Sequence, residues 1–136
     1  MSNEEKSIIT ERNLGKSLED YIEAVYDLHK EQGQARISDI SSRLGMAKPS
    51  VNAAIKRLSA LGLVTHERYG DVDLTPDGVR LAANVRHKHN VLLDFLVRLI
   101  GVYPDIAENE ACSIEHSLCD DTMTKLEAFI SKYDNH

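Results

Sequence analysis

The chain has 136 residues, 42% hydrophobic and 28% charged, a length that suits one compact domain or a small DNA-binding unit with a dimerisation tail and excludes a large multidomain enzyme. No run approaches about 18 uninterrupted apolar residues, and the polar stretch Met1 to Lys16 lacks an apolar core, so a transmembrane helix and a secretory signal are excluded and a cytoplasmic protein is expected. The net charge of −6 excludes less than it suggests: residues 1–29 hold three Lys/Arg against seven Asp/Glu, residues 30–89 ten against six, and residues 90–136 three against nine, so a basic middle suited to phosphates lies between acidic ends.

Residues 1–16 read as a mobile tail. From Ser17 onward Leu18, Ile22, Val25, Tyr26 and Leu28 recur at helical spacing, and Gly33 closes a first amphipathic helix, Leu18 to Gln32. A short second helix is expected from Ser38 as N-cap, with Ile40 and Leu44 inward and Gly45 as its stop. Pro49, tolerated in a first helical turn, opens a third helix with Val51, Ala54, Ile55, Leu58 and Leu61 on one stripe, ending at Gly62. The runs Leu63 to Arg68 and Val72 to Thr75 flank Tyr69-Gly70-Asp71 and predict a β-hairpin wing. Residues 17–75 are therefore expected to form a winged helix-turn-helix.

Thr75 and Pro76 mark the start of a long helix running toward Ile100, broken by Gly101 and Pro104. Its second half carries Val91, Leu92, Leu93, Phe95, Leu96, Leu99 and Ile100, more apolar surface than one small domain needs, which predicts a dimer interface. Two more helices, about Ala107 to Cys119 and Asp121 to Tyr133, complete residues 76–136, the last with Met123, Leu126 and Ile130 on one stripe. The fold class is mainly α: a winged helix-turn-helix followed by an all-helical dimerisation domain.

The third helix presents Lys48, Ser50, Asn52, Ala53 and Lys56 away from its apolar stripe, with Pro49 among them. Its small polar residues suit base edges in a major groove, and Lys48, Lys56 and Arg57 suit phosphates. Arg36 at the start of the second helix and Arg68 on the wing are placed for further backbone contacts with double-stranded DNA. Cys112, Glu115 and His116 stand at i, i+3 and i+4 of one expected helix, which turns a thiol, a carboxylate and an imidazole to one face, as helical metal sites do. Asp20 and Glu23 form an i, i+3 pair on the first helix, and His89 lies on the long helix. Cys112 and Cys119, seven positions apart on a helix, lie about 10 Å apart and read as reduced thiols.

Together the segments "SLEDYIEAVYDL", "ARISDISSRLGMAKPSVNAAIKRLSALGLV", "LTPDG", "RHKHNVLLDFLVRLIGV" and "ENEACSIEHSL" resemble the diphtheria toxin repressor family of metal-dependent transcriptional regulators, and its short manganese transport regulator branch. The resemblance covers Leu18 to about Lys132. It implies a homodimer in which divalent metal, held between a winged helix-turn-helix and a helical dimerisation domain, enables binding to operator DNA and represses metal-uptake genes. By position it assigns Asp20 and Glu23, His89, Glu115 and His116 as metal ligands. Cys112 matches the cysteine of the iron-responsive branch, where the manganese branch has glutamate; Asp20 matches the manganese branch, where the iron branch has methionine. Leu93 replaces an acidic ligand of the iron branch's ancillary site, with Glu108 and Glu110 as nearby acidic candidates. The iron branch continues into a further small β-domain past the last residue of this sequence.

A thiolate shifts a carboxylate and histidine site toward later metals, and so many oxygen ligands are unusual for zinc, so Fe²⁺ is favoured with Mn²⁺ the close alternative. Two other readings stay open. One is a metal-independent winged-helix regulator with a structural Cys/Glu/His cluster. The other is a small metallohydrolase, for which the sequence offers no phosphate-binding loop and no nucleophile with a general base. The chain is read as a regulator without enzymatic activity, membrane attachment or small organic substrate.

Overall fold

A computed structural model describes residues 16–67 and 70–135 and divides into two compact units, the first reaching Asn84 and the second starting at Val85. Residues 1–15 of the expected N-terminal tail lie outside the described residues, as does Arg68, while Lys16, the last residue of that expected tail, already belongs to the first helix. The first unit contains α1 (Lys16–Gln32), α2 (Ile37–Leu44), α3 (Lys48–Ala60), β1 (Val64–His66), β2 (Val72–Leu74) and the start of α4 (Pro76–Asp94). The second contains the rest of α4, a π-helical segment Phe95–Ile100, α5 (Pro104–Ile114) and α6 (Asp120–Asp134).

In the first unit α1 packs on α2, α3 and β2, and its stripe of Ile22 and Val25 is fully buried with Ile40, Val51, Ile55 and Leu58. Burying each such side chain contributes about 1.5–3 kcal/mol, which makes this three-helix contact the main support of the unit. The start of α2 differs from expectation. Arg36, not Ser38, is the extended cap residue, and the Asp39 carboxylate accepts the Arg36 backbone N–H at 3.0 Å. An acidic residue at the third helical position thus fixes the helix start and leaves Ser38 inside the first turn. Gly45, at φ +64°, ends α2 in a left-handed conformation that costs glycine little.

The wing is an antiparallel pair with Val64 opposite Leu74 and His66 opposite Val72. Its strands, three residues each, are shorter than expected because the Glu67 carbonyl accepts the Gly70 N–H at 2.9 Å beyond one end and Thr75 is taken up as the cap of α4 at the other; Val64 and Val72 are their buried residues. Ala35, between α1 and α2, donates its N–H to Asp71 Oδ1 at 2.6 Å and accepts the Val72 N–H at 2.7 Å, which fastens the wing to the helices. Thr75 caps α4 as expected: its hydroxyl accepts the Gly78 N–H at 3.1 Å and donates to the Gly62 carbonyl at 2.7 Å. Gly78 is buried against the Leu63 carbonyl, where a Cβ would collide.

In the second unit Leu92, Ala111 and Met123 form a buried cluster with Val91, Leu93, Leu96, Ile114, Leu118 and Leu126 packed around it. Much of the apolar surface expected to face a second chain is therefore spent inside the unit, while Ile100, Tyr103, Ile106, Phe129 and Tyr133 stay exposed. The long helix extends to Ile100 but changes register after Asp94. The Leu96 carbonyl accepts both the Gly101 and the Val102 N–H, widening the last turn. Arg98 in this turn reaches Asp94 at 2.9 Å and Asp134 of α6 at 2.6 Å. Lys88 is 1% exposed, and its ammonium donates to the Leu118 carbonyl at 2.8 Å and lies 3.3 Å from Asp120. A buried charge requires such partners, so Lys88 pins the α5–α6 turn to α4.

Candidate functional site

The expected helix from Ala107 to Cys119 stops earlier, at Ile114, so only Cys112 of the proposed triad lies within α5. Glu115 nevertheless keeps helical angles, φ −54° and ψ −33°, and donates its N–H to the Ala111 carbonyl at 2.9 Å. Ser117 then bonds back to Ile114 at 2.8 Å, tightening the chain into a turn. The i, i+3, i+4 relation therefore survives past the helix end. One donor atom each from Cys112, Glu115 and His116 lies within 4.8 Å of the others, with Glu115 and His116 buried and Cys112 half-buried. Ligands on opposite sides of an ion bound at 2.0–2.3 Å lie about 4–4.6 Å apart, so this thiol, carboxylate and imidazole fit a transition metal with small adjustments.

Glu115 is the centre of the arrangement. Its Oε2 lies 2.7 Å from His89 Nδ1, and its Oε1 lies 3.3 Å from His116 Nε2. The other nitrogen of His89 is 2.8 Å from Glu108 Oε1, so the buried imidazole from α4 is held between two carboxylates of α5 and its C-terminal turn. His89 meets the triad through Glu115, the kind of contact that orients a metal-binding carboxylate. Glu108 enters the arrangement from the position four before Cys112, one helical turn away. Leu93 packs in the apolar cluster, and Glu110 is exposed. Of the Arg86-His87-Lys88-His89 run, only His87 among the last three is exposed, paired with Glu127 at 2.5 Å. Asp20 and Glu23 lie three residues apart on α1 of the first unit, both half-buried and next to the fully buried Glu19.

The face of α3 opposite Val51, Ile55 and Leu58 is exposed at Lys48, Pro49, Ser50, Asn52, Ala53, Lys56 and Arg57. No acidic residue interrupts α3, so its outward field is positive. Asn52, Lys56 and Ser59 line a shallow depression with His66 of β1. The sequence reading missed His66, whose only signal was its place on the first wing strand. Arg36 is exposed at the start of α2. Other basic residues of the middle segment are spent locally: Arg43 pairs with Glu31 and Asp27, and Arg80 with Asp77. The bond to Glu31 raises the Arg43 guanidinium above its ordinary value.

Comparison with known proteins places both units. The iron dependent repressor N-terminal DNA-binding domain matches residues 13–72, and the iron dependent repressor metal-binding and dimerisation domain matches residues 75–136. The transcriptional regulator MntR of Escherichia coli is 35% identical over 116 residues, covering 85% of this chain and 74% of that protein. Among solved structures, IdeR of T. acidophilum aligns with a TM-score of 0.72 at 29% identity, over 83% of this chain and 53% of its own. A manganese-dependent transcriptional repressor in complex with manganese aligns with a TM-score of 0.76 at 28% identity, over 84% and 52%. The chain thus spans about half the length of these two solved proteins.

Proposed function

Because this chain belongs to the iron-dependent repressor family, we propose that it is a metal-activated transcriptional repressor that binds operator DNA as a homodimer and controls metal-uptake genes. The observation that carries the metal dependence is the convergence of Cys112, Glu115 and His116 within 4.8 Å at the end of α5. In this reading these three side chains hold the ion and His89 orients Glu115 or joins the ligands. Asp20 and Glu23 are further ligands on the strength of the resemblance alone. When bound, the ion supplies positive charge against which the clustered acidic groups are stabilised. Metal that favours the DNA-competent arrangement raises its population, and DNA reciprocally tightens metal binding.

On the DNA side, Ser50 and Asn52 face base edges, while Arg36, Lys48, Lys56, Arg57 and Arg68 meet phosphates, with Pro49 setting the start of the reading helix. A dimer built on the exposed apolar residues Ile100, Tyr103, Ile106, Phe129 and Tyr133 reads a pseudo-palindromic site. The cofactor is a divalent transition metal. Cys112 favours Fe²⁺ by its softness, and the manganese-bound relative keeps Mn²⁺ beside it. The test is selection from a random duplex library under anaerobic Fe²⁺, Mn²⁺, Co²⁺ or Zn²⁺, followed by binding titrations. Fe²⁺ or Mn²⁺ is expected to enrich one palindromic sequence, and a chelator to abolish its binding. Enrichment of the same sequence with chelator present would overturn the metal-activated reading in favour of a metal-independent regulator.

A further inference from the structure

A second group of potential ligands lies in the first unit, at the base of the wing. His29, in the last turn of α1, points its Nε2 at Asp71 Oδ2 at 3.2 Å, Asp73 Oδ1 at 3.6 Å and the Val72 carbonyl at 2.7 Å. Asp71 and Asp73 are two apart on the wing and therefore share a face, while the buried Val72 side chain occupies the other. The fastening of Asp71 Oδ1 to the Ala35 N–H leaves its other oxygen toward the imidazole. His29 and Asp71 are half-buried and Asp73 is exposed.

One imidazole nitrogen carries at most one proton, and here the Nε2–H donates to the Val72 carbonyl, which at 2.7 Å is the shortest of the three contacts and can only accept. Asp71 Oδ2 and Asp73 Oδ1, the latter also accepting the Leu74 N–H at 2.8 Å, then face the same nitrogen without receiving its hydrogen. Neighbouring ligands around a common ion at 2.0–2.2 Å lie about 2.9–3.6 Å apart, which matches both nitrogen-to-carboxylate distances. An imidazole with two carboxylates is a borderline donor set that suits divalent transition cations, and the exposed side leaves room for water ligands. We propose that His29, Asp71 and Asp73 form a divalent transition-metal site, separate from the cluster around Glu115, that fastens the wing to α1. Binding requires the Nε2 proton to leave, either to Nδ1 or to solvent, so the ion replaces it as the positive centre. Filling the site cancels the two carboxylate charges at the wing base, and the wing meets phosphates with less repulsion.

The experiment uses the full chain carrying Glu115→Gln, which weakens the other cluster, and measures Zn²⁺ uptake by equilibrium dialysis with and without a further change. Adding His29→Gln, whose amide can still reach the Val72 carbonyl, should remove one ion per chain. Adding Asp73→Asn, at an exposed position, should weaken that ion's binding by about tenfold or more. In the ¹⁵N spectrum of the Glu115→Gln chain, Zn²⁺ should convert the His29 Nε2 signal from a protonated to a metal-bound nitrogen. Equal uptake with and without His29→Gln overturns the proposal, as does a His29 signal that Zn²⁺ leaves unmoved. Neither result depends on operator binding or on the role of Glu115, so failure here is distinct from failure of the repressor reading.

Discussion

Replacing Glu115 with Gln tests the metal cluster at its centre. The substitution keeps the volume of a fully buried side chain and removes its charge, so packing changes little. In the metal-free protein the amide oxygen can still accept from His89 Nδ1, now 2.7 Å from Glu115 Oε2, and a charge-assisted bond becomes a neutral one. That exchange costs about 1 kcal/mol. The metal-bound state loses more. Removing an outer partner that only orients a ligand lowers metal affinity about 10- to 100-fold. Glu115 is the proposed ligand and also the contact of both His89 and His116, so its loss should reach at least about 100-fold, or about 3 kcal/mol at 1.4 kcal/mol per tenfold. Affinity is read by competition against a chelator, metal-free stability by thermal melting, and function by metal-stimulated DNA binding. Metal affinity within about threefold of the parent, with metal-stimulated binding intact, would refute the assignment. So would a metal-free protein that loses as much stability as the variant loses affinity, because Glu115 would then serve folding and not the ion.

Lys56→Ala, on the exposed face of α3, should weaken binding to specific and non-specific duplexes alike and reduce the slope of log affinity against log salt by about 0.9. An effect limited to one base position in anisotropy titrations would contradict a phosphate contact. Cys112→Glu should move the activation ranking toward Mn²⁺ and lower the proton release on metal uptake, since a carboxylate is already ionised near neutrality. Calorimetry in two buffers of different ionisation heat checks this, and an unchanged ranking and release would remove Cys112 from the ligands. Gly78→Ala sets a methyl group against the Leu63 carbonyl and should destabilise the fold by about 1–3 kcal/mol, with an unchanged denaturation midpoint as the refuting result. The Cys119 thiol is held below its ordinary value, first by the Thr122 hydroxyl at 3.3 Å and then by the Thr122 backbone N–H. Both donors favour the thiolate, so Thr122→Ala should shift the pH profile of Cys119 alkylation upward; a profile that stays in place would show that the hydroxyl contributes nothing.

Local patterns sufficed wherever one short stretch of chain settles the outcome by itself. The helical stripe of Ile22, Val25 and Leu28, the stops at Gly33, Gly45 and Gly62 and the Thr75 cap follow from side-chain periodicity and backbone preference within a few residues. The relation of Cys112, Glu115 and His116 is of the same kind, and it holds even where α5 has ended, because Glu115 retains helical angles. Competition between neighbours was harder to read: Asp39 displaced Ser38 in setting the start of α2, and the Leu96 carbonyl drew two donors and turned the end of the long helix into a wider coil. Other features depend on residues far apart in the chain. His29 meets Val72 across 43 positions and His89 meets Glu115 across 26, and no local spacing encodes either pairing. Nor could composition divide the apolar run after Val91 between an internal cluster and an exposed surface, or show that Lys88 is buried while His87 beside it is not. Residue pattern thus specifies the elements, apart from their contested ends, and the types of donor each one carries. Which donors meet depends on packing, because a hydrogen bond or an ion requires a few ångströms of approach, and that approach comes from bringing helices and wing together through the core.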